Sequence, residues 1–426
     1  MDVSVKINRM SDGRVVADVI ETDTALPYCF YLSTYLRDRF DGYNSMATAA
    51  NQTLFSIKYF NKKGVDVVER IKTGHLFTSE EYDDFKYVCK FKAKKASQLS
   101  ASNVLSFEQM SSKKLDNLLH ATQQTNDRVA SDTFKSRLYY FKYYIEYYFK
   151  ALHAVGSTPL EVKERYDDFI ATIESDLRQA RPSNSVVRDP FEQAIPTDVY
   201  LNILDVIQPF NEKNPFHKAA RLRNQLIIQI FNETAIRIGA LCKLKVSDLR
   251  IDDKAPRFHV TRTPNDHEDT RNRPATQKTK AHIGTLSQKT MDRLLLYIET
   301  QRAQYPAANE HEFIFVSTQK TPGQPIAKSS VQDVIERLSK EVGFHLYPHL
   351  FRHKWQEVFE DRAEEMGYTH DQINDMRKAA CGWTESSQMI LIYNEFKNAV
   401  NVQKMSAIRQ SEFVPKINKN KEDCDA

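Results

Sequence analysis

Glycine is scarce in this chain, at 11 residues in 426. A shortage of the residue that builds tight turns weighs against an all-β fold of many short hairpins. Nowhere do glycines gather into a phosphate-cradling loop, which removes the nucleotide-binding signatures built on such loops. Cysteine is also rare. Cys29, Cys89, Cys242, Cys381 and Cys424 are odd in number, far apart and include no C-x-x-C pair. Neither a disulfide framework nor a zinc site is indicated, and a reducing, intracellular compartment fits. No carboxylate cluster suggests a catalytic metal, and no cofactor is expected. No apolar run approaches the length of a membrane span, and residues 1–24 lack an apolar stretch of signal-peptide length.

What is present points to helices. Hydrophobic residues make up 41% of the chain, enough for real cores. Leu, Lys, Glu, Gln and Ala are frequent, a balance that favours helix. The length sets a prior of two or three domains. The net charge is only +4, so a polyanionic partner would need local basic clusters.

Along the chain, alternation in residues 3–7 and β-prone residues 15–20 flank Ser11, Asp12, Gly13 and Arg14, which predicts a hairpin. Phe30, Leu32, Tyr35 and Leu36 suit a first helix; Ala47, Leu54, Ile57, Tyr59 and Phe60 suit a second, ended by Gly64. A third helical region covers residues 67–91, and residues 92–112 read as a loop or weakly ordered linker. In residues 133–150, Phe134, Leu138, Phe141, Ile145, Tyr148 and Phe149 form one helical stripe, a core face. Lys135, Arg137 and Lys142 lie mostly off that stripe and are candidates for phosphate contacts. Residues 181–190, with two prolines and small polar side chains, form the best domain boundary. Beyond it, helical patterns cover 197–207, 219–234, 288–305, 329–342, the stretch after His349, and 394–409. Short β-like runs at 257–261 and 281–286 flank a polar, basic loop.

The informative motifs all follow Pro190. The run Thr234-Ala-Ile-Arg-Ile-Gly-Ala-Leu-Cys-Lys-Leu-Lys-Val-Ser-Asp248 sets Arg237 before an apolar segment. Gln277 and Lys278 precede a β-like run. Pro348, His349 and Arg352 make an H-x-x-R box at a helix start, with both side chains on one face. Gly382 precedes Trp383, which comes ten residues ahead of Tyr393. In this order the four segments resemble the tyrosine recombinase (phage integrase) family: its T-G-x-R-x-x-E-L-x-x-L-x-x-x-D arginine motif, its hairpin lysine, its H-x-x-R box and its closing G-[H/W]…Y segment.

The resemblance implies a mainly α fold with a small β-sheet in the catalytic domain. It implies a two-domain DNA clamp, a helical core-binding domain beside a tyrosine-recombinase catalytic domain. Expected boundaries are a hairpin extension at 1–24, a core-binding domain at 25–185 with an insertion near 92–130, a catalytic domain at 190–412 and a charged tail at 413–426. It also implies an ATP- and metal-independent recombinase that integrates or excises a mobile element through a 3′-phosphotyrosine. Its partners would be double-stranded recombination sites and three further copies of itself, docked through residues 394–409 in a tetramer. A cytoplasmic, DNA-associated protein is expected.

The chemistry explains these residue types. Attack on a phosphodiester concentrates charge on the non-bridging oxygens, and two guanidiniums can fork onto them bidentately; Arg237 and Arg352 are the candidates. Lys278, with Lys280 as its competitor, would protonate the leaving 5′ oxygen. His349 would exchange the tyrosine proton, Trp383 would donate its indole N–H, and Tyr393 would be the nucleophile. Each has a duller reading: a solvent-facing arginine, a solvated hairpin lysine, a core tryptophan, one of 20 tyrosines. Ala240 replaces the motif's acidic residue, and the Trp383–Tyr393 spacing is one residue longer than is usual. Both departures suit a rival reading, a non-catalytic DNA-binding protein of the same fold. A type IB topoisomerase, which shares the chemistry, is the other alternative.

Overall fold

The computed structural model describes residues 3–101, 127–154, 156–180, 194–252, 255–263, 266, 268–277, 279–387 and 389–413. The chain divides into two compact units, Met1–Val187 and Arg188–Ala426. The linker expected at 181–190 and nearly all of the charged tail lie outside the described residues.

In the first unit, β1 (Val3–Arg9) pairs antiparallel with β2 (Val15–Glu21), from Val3 opposite Glu21 to Arg9 opposite Val15. Buried Asp18 of β2 accepts hydrogen bonds from Ser33 Oγ and Arg37 Nη2, tying the hairpin to α1 (Phe30–Arg39). Among the described residues, five more helices precede residue 153: α2 (Tyr43–Lys62), α3 (Val67–Thr73), α4 (Ser79–Val88), α5 (Ala93–Ala101) and α6 (Ser131–Leu152). After them comes α7 (Leu160–Gln179). The region 67–91 is two helices because Gly74 ends the first in the left-handed conformation. Thr78 and Glu81 then start the second with reciprocal capping bonds. Residues 93–101 are helical where a loop was expected, and residues 102–112 fall outside the described set.

Helix α6 buries Leu138, Phe141, Ile145, Tyr148 and Phe149 as its apolar stripe requires. Arg137 corrects the expectation of a phosphate contact. Its side chain is buried, Nη1 donates to the carbonyls of Cys89 and Phe91, and the guanidinium lies 3.9 Å from the Phe55 ring centroid. A guanidinium enclosed in this way satisfies chain carbonyls rather than phosphates. Lys142 is paired with Glu174 at 2.7 Å and Glu146 at 3.4 Å, so its charge is already neutralised locally. Lys135 is half-buried on the same helix.

The second unit begins with α8 (Thr197–Val206), α9 (Arg221–Thr234) and the short α10 (Ile238–Leu241). A three-stranded antiparallel sheet follows, ordered β3 (Leu249–Arg250), β4 (Arg257–Val260), β5 (His282–Thr285). Then come α11 (Gln288–Leu296), α12 (Lys328–Val342), α13 (Pro348–Glu365), α14 (His370–Cys381) and α15 (Met389–Phe413). Helix α9 is the centre of this unit. Leu226, Ile227, Ile228, Ile230 and Phe231 are all buried, and they pack with Leu294, Leu338, Leu350 and Phe351 from three later helices. Near-continuous burial over successive residues means that α9 is covered on most of its circumference. No described helix is long and apolar enough to cross a membrane.

Candidate active site

Two backbone turns build the site around Arg352. At the end of α9, Ala235 takes a left-handed conformation (φ +50), which costs a non-glycine residue about 1–2 kcal/mol. The turn aims its carbonyl at Arg352, whose Nη1 donates to it at 2.6 Å. At the end of α14, Gly382 is left-handed as well (φ +62), and Arg352 Nη2 donates to the Cys381 carbonyl at 3.4 Å. Arg352 itself is only 2% exposed. Its guanidinium carbon lies 5.4 Å from the centroid of the Trp383 ring. Among the described residues, no hydrogen-bond partner meets its buried Nε.

Arg237 is the N-cap of α10, with extended backbone, and is half-buried. A Cβ on Gly239 would run into the Thr276 carbonyl, so glycine there lets the loop before β5 close onto the Arg237 turn. Arg237 and Arg352 both act on the same neighbours. His349 has its pKa lowered from 6.5 to about 4, first by burial, then by the charges of Arg352 and Arg237. His282 at the start of β5 is lowered by burial and by the same two arginines, partly offset by a backbone contact to Lys280. The Cys381 thiol is pushed up by burial against the opposing pull of both guanidiniums. His349 is therefore neutral at pH 7. Its ring stands edge-on to that of His353, with centroids 5.0 Å apart, and His353 is likewise lowered to about 4, chiefly by burial.

Trp383 packs with Ala235 and Cys381, and against Trp355, Met389 and Ile390. Trp355 fixes one wall by donating Nε1 to the Glu233 carbonyl at 3.0 Å. Because Met389 and Ile390 form the first turn of α15, the helix that carries Tyr393 starts on the Trp383 cluster. Tyr393 sits one turn on; its side chain lies outside the described residues, as does Lys278 altogether. Lys280 is exposed, its amide donates to the Gly382 carbonyl at 3.0 Å, and it lines a shallow depression with Lys378, Gly382 and Trp383. Ala240, at the place of the motif's acid, is buried in the core below the site.

Thus Arg237, His349, Arg352 and Trp383 meet, although 146 residues separate Arg237 from Trp383. Several participants were not foreseen: Ala235 and Cys381 through their carbonyls, His282, and the polar trio Gln356, Glu360 and Arg377. Ala235 stands where the family motif has glycine, a visible sign of the left-handed turn. The trio gave a weaker signal, as polar residues at buried positions of α13 and α14.

Residues 194–359 match the model of the phage integrase family. Transposase A from transposon Tn554 of Staphylococcus aureus, in strains N315 and Mu50, is 26% identical over 136 residues. The match covers 31% of this chain and 34% of the transposase, so the chain spans about a third of the length of the curated relatives it matches. Among solved structures, XerH site-specific recombinase bound to difH substrate aligns at 13% identity with a TM-score of 0.39. That alignment covers 79% of this chain and 96% of the other. The Tn1549 transposon integrase in complex with transposon right end DNA aligns at 13% identity with a TM-score of 0.35, covering 75% and 99%.

Proposed function

Residues 194–359 form a phage integrase family domain, and from that premise we propose that the chain is a tyrosine-type site-specific recombinase of a mobile element. The observation that carries the proposal is the meeting of two guanidiniums, Arg237 and Arg352, around one histidine, His349, beside the helix of Tyr393. Two converging, permanently charged forks fit the oxygens of a pentacoordinate phosphorus far better than they fit any neutral ligand.

In the proposed reaction, Tyr393 Oη bonds to phosphorus and the bond from phosphorus to the 5′ oxygen breaks. The tyrosine proton passes to His349, which is available because burial and two cations keep it neutral. The 5′ oxygen takes a proton from Lys278 or Lys280. The 3′-phosphotyrosine retains a phosphodiester's bond energy, so a second 5′ hydroxyl reverses the step without ATP. Recombination sites in double-stranded DNA are the proposed partners. A tetramer joined through α15 is supported by Val402, Met405 and Ile408, exposed at 65%, 66% and 55% and spaced along one side of that helix.

A nicked suicide duplex, which traps the covalent step, tests this reading. The full chain is expected to give a denaturant-stable adduct whose modified peptide contains Tyr393, and EDTA is expected to leave the yield unchanged. Tyr393→Phe is expected to give none while still binding the duplex. An adduct from Tyr393→Phe, or none from the wild-type chain, overturns the reading.

A further inference from the structure

The second unit holds a buried polar chain that the proposed chemistry does not use. It begins at Cys381, whose carbonyl accepts from Arg352 and whose Sγ accepts from Gln356 Nε2 at 2.8 Å. Gln356 turns its Oε1 to Arg377, which donates Nε. Arg377 is 1% exposed, making it one of the most enclosed side chains in the protein. Its Nη1 lies 3.4 Å from Glu360 Oε2 and donates to Asn394 Oδ1 at 3.4 Å. Glu360 in turn holds Lys397 at 3.2 Å, and Lys397 is also paired with Glu364.

Three helices are joined by this chain: α13, which carries Arg352; α14, which leads to Trp383; and α15. The two α15 groups it grips, Asn394 and Lys397, are the residue after Tyr393 and the residue one turn beyond. Burying an arginine and a glutamate is costly, and apolar residues at those places hold helices together at least as well. What an ionic fork adds is direction and register. Apolar packing lets a helix slide or rotate by a fraction of a turn, whereas a guanidinium shared among Gln356, Glu360 and Asn394 admits one arrangement.

We propose that Arg377 is a positioning residue for the nucleophile, setting the height and rotation of α15 so that Tyr393 is presented to the phosphate held by Arg352 of the same chain. The inference rests on Tyr393 being the nucleophile. Through Gln356 and Cys381, one side chain fixes both the residue beside the tyrosine and the turn that orients the phosphate-binding arginine.

The test uses the full chain on the nicked suicide duplex and reads the single-turnover rate of adduct formation, beside duplex affinity and thermal midpoint. Arg377→Met strips Glu360 of a buried partner and risks unfolding, so Asn394→Ala is the primary variant: it removes only the bond from Arg377 to α15 and leaves the Arg377–Glu360 and Glu360–Lys397 pairs intact. Asn394→Ala is expected to slow adduct formation about 10- to 100-fold, the scale of an ångström-sized misplacement, with affinity and midpoint unchanged. Asn394→Asp, which still accepts from Arg377, is expected to restore most of the rate. A bridging 5′-sulfur at the scissile phosphate, which needs no proton to leave, is expected not to rescue Asn394→Ala, because the defect lies in approach and not in the leaving group. Wild-type rates for Asn394→Ala overturn the inference, as does equal slowing of the Ala and Asp variants. Loss of the Tyr393 adduct in the wild-type chain itself is the separate failure of the functional reading.

Discussion

His349 shows how a single residue is set by its surroundings. Burial and the charges of Arg352 and Arg237 hold its pKa near 4, and His353 beside it is held equally low. A folded-state pKa below the unfolded value means that the unfolded chain takes up protons first. Stability from these two histidines is therefore complete above about pH 6.5 and is lost as the pH falls toward 4. The midpoint of urea unfolding is expected to drop steadily across that window, and His349→Gln is expected to flatten the drop. A bound phosphate changes the balance, because its charge offsets both guanidiniums. In a ¹³C or proton titration, the His349 pKa is expected to rise when the nicked duplex is added to the Tyr393→Phe chain. An unmoved pKa would place the scissile phosphate elsewhere.

Among the elements, the contact between β5 and the end of α14 matters most for the site. Lys280 donates its amide to Gly382, and a Cβ on Gly382 would stand 2.5 Å from His282 Nδ1 and 2.6 Å from the Lys280 carbonyl. Gly382 also adopts φ +62. Gly382→Ala is expected to destabilise the chain by roughly 2–4 kcal/mol, from left-handed backbone strain together with overpacking, measured by denaturant midpoint. The same change pushes the segment that carries Lys280, just before β5, away from Gly382 and Trp383, so adduct formation is expected to fall further than stability alone requires. Helix α9 makes the converse point. Its buried isoleucines hold the Ala235 turn rigid, and the turn in turn holds Arg352.

Across the whole molecule, each compact unit has its own core. One is centred on α2 and α6 with Tyr35, Phe60, Phe85 and Phe141; the other on α9 and α12 to α13. The second unit presents α15 with Val402, Met405 and Ile408 toward solvent. If that side is covered by another copy on DNA, Met405→Asp is expected to leave suicide-duplex trapping by a single site intact. Recombination between two sites is expected to be lost, as scored by product bands on a gel and by complex size in sedimentation. Full recombination by Met405→Asp would place the contact between copies elsewhere.

Periodicity alone located most helices, because an apolar stripe is a local property: α6 and α12 follow their stripes closely. The order Arg237, His349, Arg352, Trp383, Tyr393 carried the resemblance to the tyrosine recombinase family before any fold was known, because a motif series is legible in the chain whatever fold holds it. Sequence reading failed where charge and burial part company. Arg137 looked like a surface cation and is enclosed by carbonyls and Phe55, and the helix of residues 93–101 looked like linker because small and polar residues (alanine, lysine, serine, glutamine) fill it. Nor does any local pattern show that Gln356, Glu360, Arg377 and Asn394 share a single network; they are drawn from three helices. Residue type fixes what a side chain is able to do, but packing alone decides which water-free neighbours it does it with.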